Sequence, residues 1–228
     1  MKENFDASLK HVLVHEGGWS DHPDDPGGAT MKGVTLAVYR RFFGAKKTKK
    51  DLRNITDAQL AKVYRTGYWD KCKCDDLPKG VDYAVFDSAV NSGPGRGAKW
   101  LQGAVGAFQD GGIGPETLAK VSTREPTAII NDMLDRRLAF LKSLRTWGTF
   151  GRGWGRRVDG VRATALQMAG GGAAEGVVPD VSFPVLRRGS KGAWVVKAQT
   201  ALDITADGDF GPATEAAVKA FQKEQGLE

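Results

Sequence analysis

The sequence predicts a mainly α protein: an α+β first domain with a small β-hairpin, followed by a small helical domain. Three observations carry this. Apolar residues recur at helical spacing along most of residues 1–168, an early stretch crowded with Gly, Pro, Asp and Ser interrupts them, and a Gly/Ala-rich segment after Met168 ends the pattern.

The first helix is expected over residues 5–16, where Phe5, Leu9, Val12 and Leu13 share a face and Gly17-Gly18 stop it. Glu16 therefore sits at a helix C-terminus. From there to Thr35 the chain reads as turns with a short β-hairpin. Helical patterns resume over residues 36–43, 56–68 with Thr56 as cap, 81–90, 99–105 and 127–144, the last with Ile130, Met133, Leu134, Leu138, Leu141 and Leu144 on one stripe. The basic run from Ala45 to Lys50 reads as a solvated loop. Trp147, Phe150 and Trp154, interleaved with Arg145, Arg152, Arg156 and Arg157, read as aromatic anchors of a loop, with stacking on sugars or contact with nucleic acid as the other uses of such residues.

Residues 169–183, opening with Ala169-Gly170-Gly171-Gly172, lack apolar bulk and read as a flexible linker. Residues 184–228 would form the second domain, near the lower size limit for independent stability. An internal echo joins the two parts: Gln102 to Thr117, "QGAVGAFQDGGIGPET", aligns without gaps to Gln199 to Thr214, "QTALDITADGDFGPAT". Each copy offers a tight turn at Gly111 or Gly208, an apolar plug at Ile113 or Phe210, and a helix-starting Pro115 or Pro212.

The chain has 228 residues, 41% hydrophobic and 26% charged, which excludes a disordered polymer. A net charge of +6 favours an anionic partner without choosing among nucleic acid, acidic lipid and cell envelope. Cys72 and Cys74 are too close for an easily closed disulfide and read as reduced thiols. Charges run through the N-terminus where a secretory peptide needs an apolar core, and no segment is long enough to span a membrane. Synthesis in the cytoplasm without a signal peptide is the expectation. His11 and His15 lie four apart on one helix face, but Val12 stands where a zinc-protease pattern needs Glu, so no metal or other cofactor is expected.

Glu16-Gly17-Gly18, Asp25-Pro26-Gly27-Gly28-Ala29-Thr30 and Gly33-Val34-Thr35 resemble the signature of glycoside hydrolase family 108, the phage-type N-acetylmuramidases related to phage lysozymes. The resemblance continues through Tyr68-Trp69-Asp70, Leu77-Pro78 and Val85 to Gly93, and on to Gly153-Trp154-Gly155-Arg156-Arg157-Val158. It implies a lysozyme-like domain whose helical second half, about 94–168, is similar to a peptidoglycan-binding region. The C-terminal segment, with Asp207-Gly208-Asp209-Phe210-Gly211-Pro212 and Thr214, is similar to the peptidoglycan-binding module type 1, with Asp207, Phe210 and Thr214 as its module residues. The sequence ends at Gly226-Leu227-Glu228, short of the extra turn many such modules carry, which suggests an abbreviated fold and reduced affinity.

Glycoside hydrolysis needs an acid for the leaving oxygen and, in most cases, a second carboxylate. Glu16, packed against Val12, Leu13 and Trp19 at a helix C-terminus, suits the acid, because both surroundings keep a proton on it. Asp25 in its Gly/Pro-rich turn suits the ionised partner, and Thr30 suits a water-holding hydroxyl, although Asp24 and Asp25 also fit as turn formers and Thr30 as a hairpin residue. The resemblance implies a Glu16, Asp25, Thr30 arrangement, with Trp19, Tyr68, Asn91 and Ser92 binding substrate. The expected protein is a bacteriolytic, antimicrobial endolysin. It would be a monomer released through a holin to act on peptidoglycan in the periplasm, with neither nucleic acid nor membrane insertion in its role. A lytic transglycosylase, a metal amidase using His11 and His15, and a non-catalytic wall anchor are the alternatives.

Overall fold

The computed structural model describes residues 4–21, 28–170 and 186–224. Asp24 and Asp25, most of the expected linker and Gly226-Leu227-Glu228 lie outside the described residues. The chain divides into two compact units, Met1–Pro179 and Asp180–Glu228.

Helix α1 (Asn4–His15) buries Phe5, Ser8, Leu9 and Val12 and stops one residue before Glu16, whose N–H still donates to the Leu13 carbonyl at 3.2 Å. The expected hairpin is a three-stranded antiparallel sheet of β1 (Trp19–Ser20), β2 (Thr30–Met31) and β3 (Val34–Thr35), in the order β1-β2-β3. Trp19 pairs with Met31 and Ser20 with Thr30, while Thr30 pairs onward with Thr35 and Met31 with Val34. The β2–β3 connection is Lys32-Gly33, with φ of 46° and 75°. Two successive positive φ angles match the twist of a tight hairpin.

Helix α2 (Leu36–Phe43) forms where its periodicity places it, capped by Thr35, whose hydroxyl accepts from the Val38 N–H at 3.2 Å. The basic run is not all loop: Thr48 and Asp51 close a capping box that starts α3 (Lys49–Arg53). Thr56 caps α4 (Asp57–Tyr64) with Gln59 in a second box, and the helix then widens into a π-turn, Arg65–Trp69. The expected helix over 56–68 therefore changes hydrogen-bond register at Arg65. Two short 3-10 turns, Asp70–Cys72 and Cys74–Asp76, follow. Both thiols are buried and unbridged, and burial, with Cys72 beside it, pushes the Cys74 thiol well up.

Helix α5 (Val81–Ser92) is the hub, with every residue from Val81 to Ala89 buried. Around it pack α1, α6 (Pro94–Val105), α8 (Pro126–Lys142) and α9 (Trp147–Met168); α7 (Pro115–Val121) leans on α6. Phe5, Trp69 and Phe86 join at its foot, Phe5 and Phe86 each 5.3 Å from Trp69 in edge-on geometry. Helix α6 starts at Pro94 rather than Lys99, because Pro at the first position suits a helix even where two glycines weaken the pattern. Helix α9 replaces the loop expected around Trp147 to Trp154. Five of its 22 residues are glycine, each costing up to about 1 kcal/mol relative to alanine. Burial of Val158, Val161 and Ala165 against α8 outweighs that cost.

The second unit holds α10 (Ala193–Ala201) and α11 (Pro212–Glu224), with a bridge between Lys191 and Asp209. The fold is as expected: a lysozyme-like α+β domain with a small sheet, and a small helical module.

Candidate active site

Glu16 stands just past the end of α1, its side chain 19% exposed. Its Oε1 accepts from Arg157 Nη1 at 3.3 Å and Nη2 at 3.2 Å. The same guanidinium donates to Asp87, from Nη2 at 2.9 Å and from Nε at 3.2 Å to Oδ2. Asp87 is fully buried in α5 and takes a second cation, Arg137 of α8, through Nη1 at 2.6 Å. Arg137 continues to Ser88 at 3.3 Å and to the Asn91 Oδ1 at 3.1 Å. Two carboxylates and two guanidiniums thus form one chain of formal net charge zero. Burial works to raise the Asp87 carboxyl, but the two arginine charges and their hydrogen bonds outweigh it and hold it below the usual range.

The surroundings of Glu16 differ from the apolar wall the sequence suggests. The Arg157 guanidinium lies on one side of the carboxylate and the β2–β3 turn on another: a Cβ on Gly33 would sit 2.8 Å from Glu16 Oε2 and would collide with the Tyr64 hydroxyl. That hydroxyl donates to the Lys32 carbonyl at 2.8 Å, tying the turn to α4. Tyr68 stacks obliquely on Tyr64 with centroids 5.7 Å apart. Burial, then the negative charge of Glu16, pushes both phenols above their ordinary value. The neighbours of the carboxylate are therefore polar: a guanidinium on one side, and a phenol and a backbone turn on the other. Beyond Tyr68 opens a cavity of about 490 Å³ between α2, α4 and the π-turn.

The structure sets Glu16 near Tyr64, on which Tyr68 packs, and links Asn91 to Glu16 through Arg137, Asp87 and Arg157. Asn91 is exposed at the end of α5, and its Oδ1 also accepts from Ser92 at 3.2 Å. Trp19 lies half-buried in β1 with the Arg53 guanidinium 5.7 Å above its ring. Thr30 sits in the central strand, its hydroxyl donating to the Gly28 carbonyl at 3.1 Å. Asp25 lies outside the described residues. The His11 ring rests against Tyr83, 5.6 Å between centroids. Among the described residues no group of three His, Cys, Asp or Glu side chains could hold a metal ion. Sequence reasoning missed Asp87, Arg137 and the role of Arg157. The available signal was an aspartate inside the apolar run "DYAVFDSAV", since a charge buried in a helix core demands a partner.

In the C-terminal module, Asp207, Phe210 and Thr214 serve the module's own framework. Gln199 Nε2 donates to Asp207 Oδ1 at 2.7 Å, the Asp209 carbonyl at 3.0 Å and Thr214 Oγ1 at 2.9 Å, and its Oε1 accepts from the Gly208 N–H at 2.9 Å. Phe210 is buried. The echo in the first unit repeats this bond for bond: Gln102 Nε2 reaches Asp110 at 2.7 Å, the Gly112 carbonyl at 3.0 Å and Thr117 at 3.3 Å, and Oε1 accepts from Gly111 at 2.9 Å.

The glycosyl hydrolase 108 family model matches residues 9–93, and a peptidoglycan binding domain model matches residues 197–228. Among solved structures, SagA of Brucella abortus is 47% identical, covering 74% of this chain and 97% of its own, with a TM-score of 0.67. No sequence among curated proteins matches. With a carboxylate fixed at position 16 and a wall-binding module behind it, the chain belongs to the glycosyl hydrolase 108 family and is a muramidase-type glycoside hydrolase of peptidoglycan.

Proposed function

We propose that the protein is an endolysin-type muramidase that hydrolyses the β-1,4 bond between N-acetylmuramic acid and N-acetylglucosamine, with Glu16 as general acid. The observation that carries this is the double grip of Arg157 on Glu16 and Asp87. When Glu16 holds its proton, Arg157 remains partnered by Asp87. As the proton moves to the glycosidic oxygen, the carboxylate charge develops against a guanidinium already in place, which stabilises the transition state without reorganisation. Asp25 activates the attacking water and Thr30 holds it, in an inverting reaction whose carboxylates stand roughly 6.5 to 9.5 Å apart. Trp19, Tyr68, Asn91 and Ser92 contact the glycan. The C-terminal module holds the wall and raises the local concentration of cleavable strands. The enzyme acts as a monomer on the wall after release through a holin.

Mass spectrometry of digested peptidoglycan tests the reading. Hydrolysis leaves reducing ends one water heavier than the anhydro ends of a lytic transglycosylase. In Glu16→Gln, turnover should fall by about 10² to 10⁴-fold with the fold intact. Anhydro products, or a folded Glu16→Gln protein with near-normal turnover, would falsify it.

A further inference from the structure

The cavity beside Tyr68 carries an unusual set of groups. Arg41 and Lys71 line it together with Thr66, Phe42, Pro94 and Tyr68, and among the described residues no carboxylate or amide side chain lines it. Neither cation enters an ion pair among the described residues. Asp70, which adjoins Lys71, pairs instead with Arg65 at 3.3 Å, and Asp75 pairs with the same guanidinium. An amino sugar asks for paired donors and acceptors. This lining offers two cations, two hydroxyls and an apolar floor instead. Its ligand is therefore anionic and partly apolar.

We propose that the cavity binds the acidic peptide stem of peptidoglycan, with Arg41 and Lys71 receiving a free carboxylate of that stem. Tyr68 fixes the placement, because it lines the cavity and packs on Tyr64, whose hydroxyl flanks the Gly33 turn beside Glu16. The stem hangs from the lactyl group of the muramic acid whose bond is cut, so a cavity that begins at Tyr68, next to the Tyr64 that flanks the Glu16 turn, is within its reach. The proposal rests on the reading of Glu16 as the glycosidic acid. It makes Arg41 and Lys71 specificity determinants for cross-linked or stem-bearing glycan over stripped glycan.

The test compares kcat/KM on soluble stem-bearing oligomers with that on the same oligomers freed of peptide by an amidase, for the full chain and for an Arg41→Gln/Lys71→Gln double variant. Both side chains are exposed, and circular dichroism would establish that the variant is folded. Two partly exposed ion pairs are worth about tenfold together. The full chain should prefer the stem-bearing substrate by about that factor, with the preference shrinking in high salt, and the double variant should lose it through KM. An unchanged preference in the variant would overturn the proposal. So would a loss confined to the stripped substrate, which would assign the cations to the lactyl carboxylate exposed by the amidase. Titration of a free acidic stem peptide followed by NMR is independent of cleavage. If the full chain cleaves neither substrate, the glycosidase reading falls, and the cavity proposal stands or falls on whether that peptide binds and the double variant abolishes binding.

Discussion

Arg157 holds Glu16 at 3.2 Å and Asp87 at 2.9 Å with one nitrogen, so the partly exposed carboxylate and the buried one share a donor. A lysine carries the same charge on a single ammonium and cannot reproduce a planar fork spanning two acids. Arg157→Lys is expected to fold with little change in Tm but to lose about 10²-fold in kcat, the scale associated with misplacing a reacting group by about 1 Å. Turnover on soluble glycan, read beside a melting curve, decides it; wild-type turnover would show that Arg157 serves stability alone.

Gly33 is required twice over, by its φ of 75° and by the approach of Glu16 Oε2 to within 2.8 Å of where a Cβ would stand. Gly33→Ala adds backbone strain of about 1 kcal/mol and pushes against both Glu16 and Tyr64. Activity should drop by about tenfold or more while the melting temperature moves by only a few degrees. A loss of stability with full activity per folded molecule would separate the turn from the site.

Acid should unfold the first unit partly through Asp87. Its folded carboxyl titrates below the ordinary 3.8, so the unfolded chain takes up its proton first as pH falls. Asp87 therefore stabilises the fold at all higher pH and loses that contribution between about pH 4 and the lower folded value. Asp87→Asn should flatten this acid limb and, by leaving two buried guanidiniums short of a partner, cost about 3 to 5 kcal/mol at neutral pH. Denaturant melts from pH 2 to 7 measure both effects, and an unaltered acid limb would contradict the assignment.

The two glutamine staples predict parallel losses. Gln199→Ala and Gln102→Ala each free a turn held by four side-chain hydrogen bonds, at a cost of about 1 to 3 kcal/mol. In the small C-terminal module this should abolish binding to sacculi, whereas in the larger first unit it should only lower Tm. Calorimetry with a sacculus pull-down distinguishes the outcomes; intact binding by Gln199→Ala would mean that the staple is dispensable.

Much of this was legible in the sequence because its signals are local. Leu36–Phe43, the Thr56 cap of α4 and the start of α5 follow from periodicity and caps, and Gln102 and Gln199 announced one structure used twice. The site was only half legible. Glu16 and Tyr68 lie in motifs, but what surrounds Glu16 is set by Arg157, 141 positions away, in a helix whose glycines disguise it as a loop. Pairing across such a distance leaves no periodic trace. Asp87 hinted at a cation without naming it, and the capping box at Thr48 was hidden by the lysines around it.

The family match ends at residue 93, while the cations that neutralise Asp87 and orient Glu16 arrive at positions 137 and 157. On the ribosome, the acid is thus made almost at once and left without its guanidinium until α9 emerges. Until residue 137 is added, a chain that already holds Asp87 has neither of the cations that neutralise it in the folded core. Glu16 therefore meets its guanidinium only after most of the first unit has been made, so the order of synthesis itself delays the assembly of this cluster.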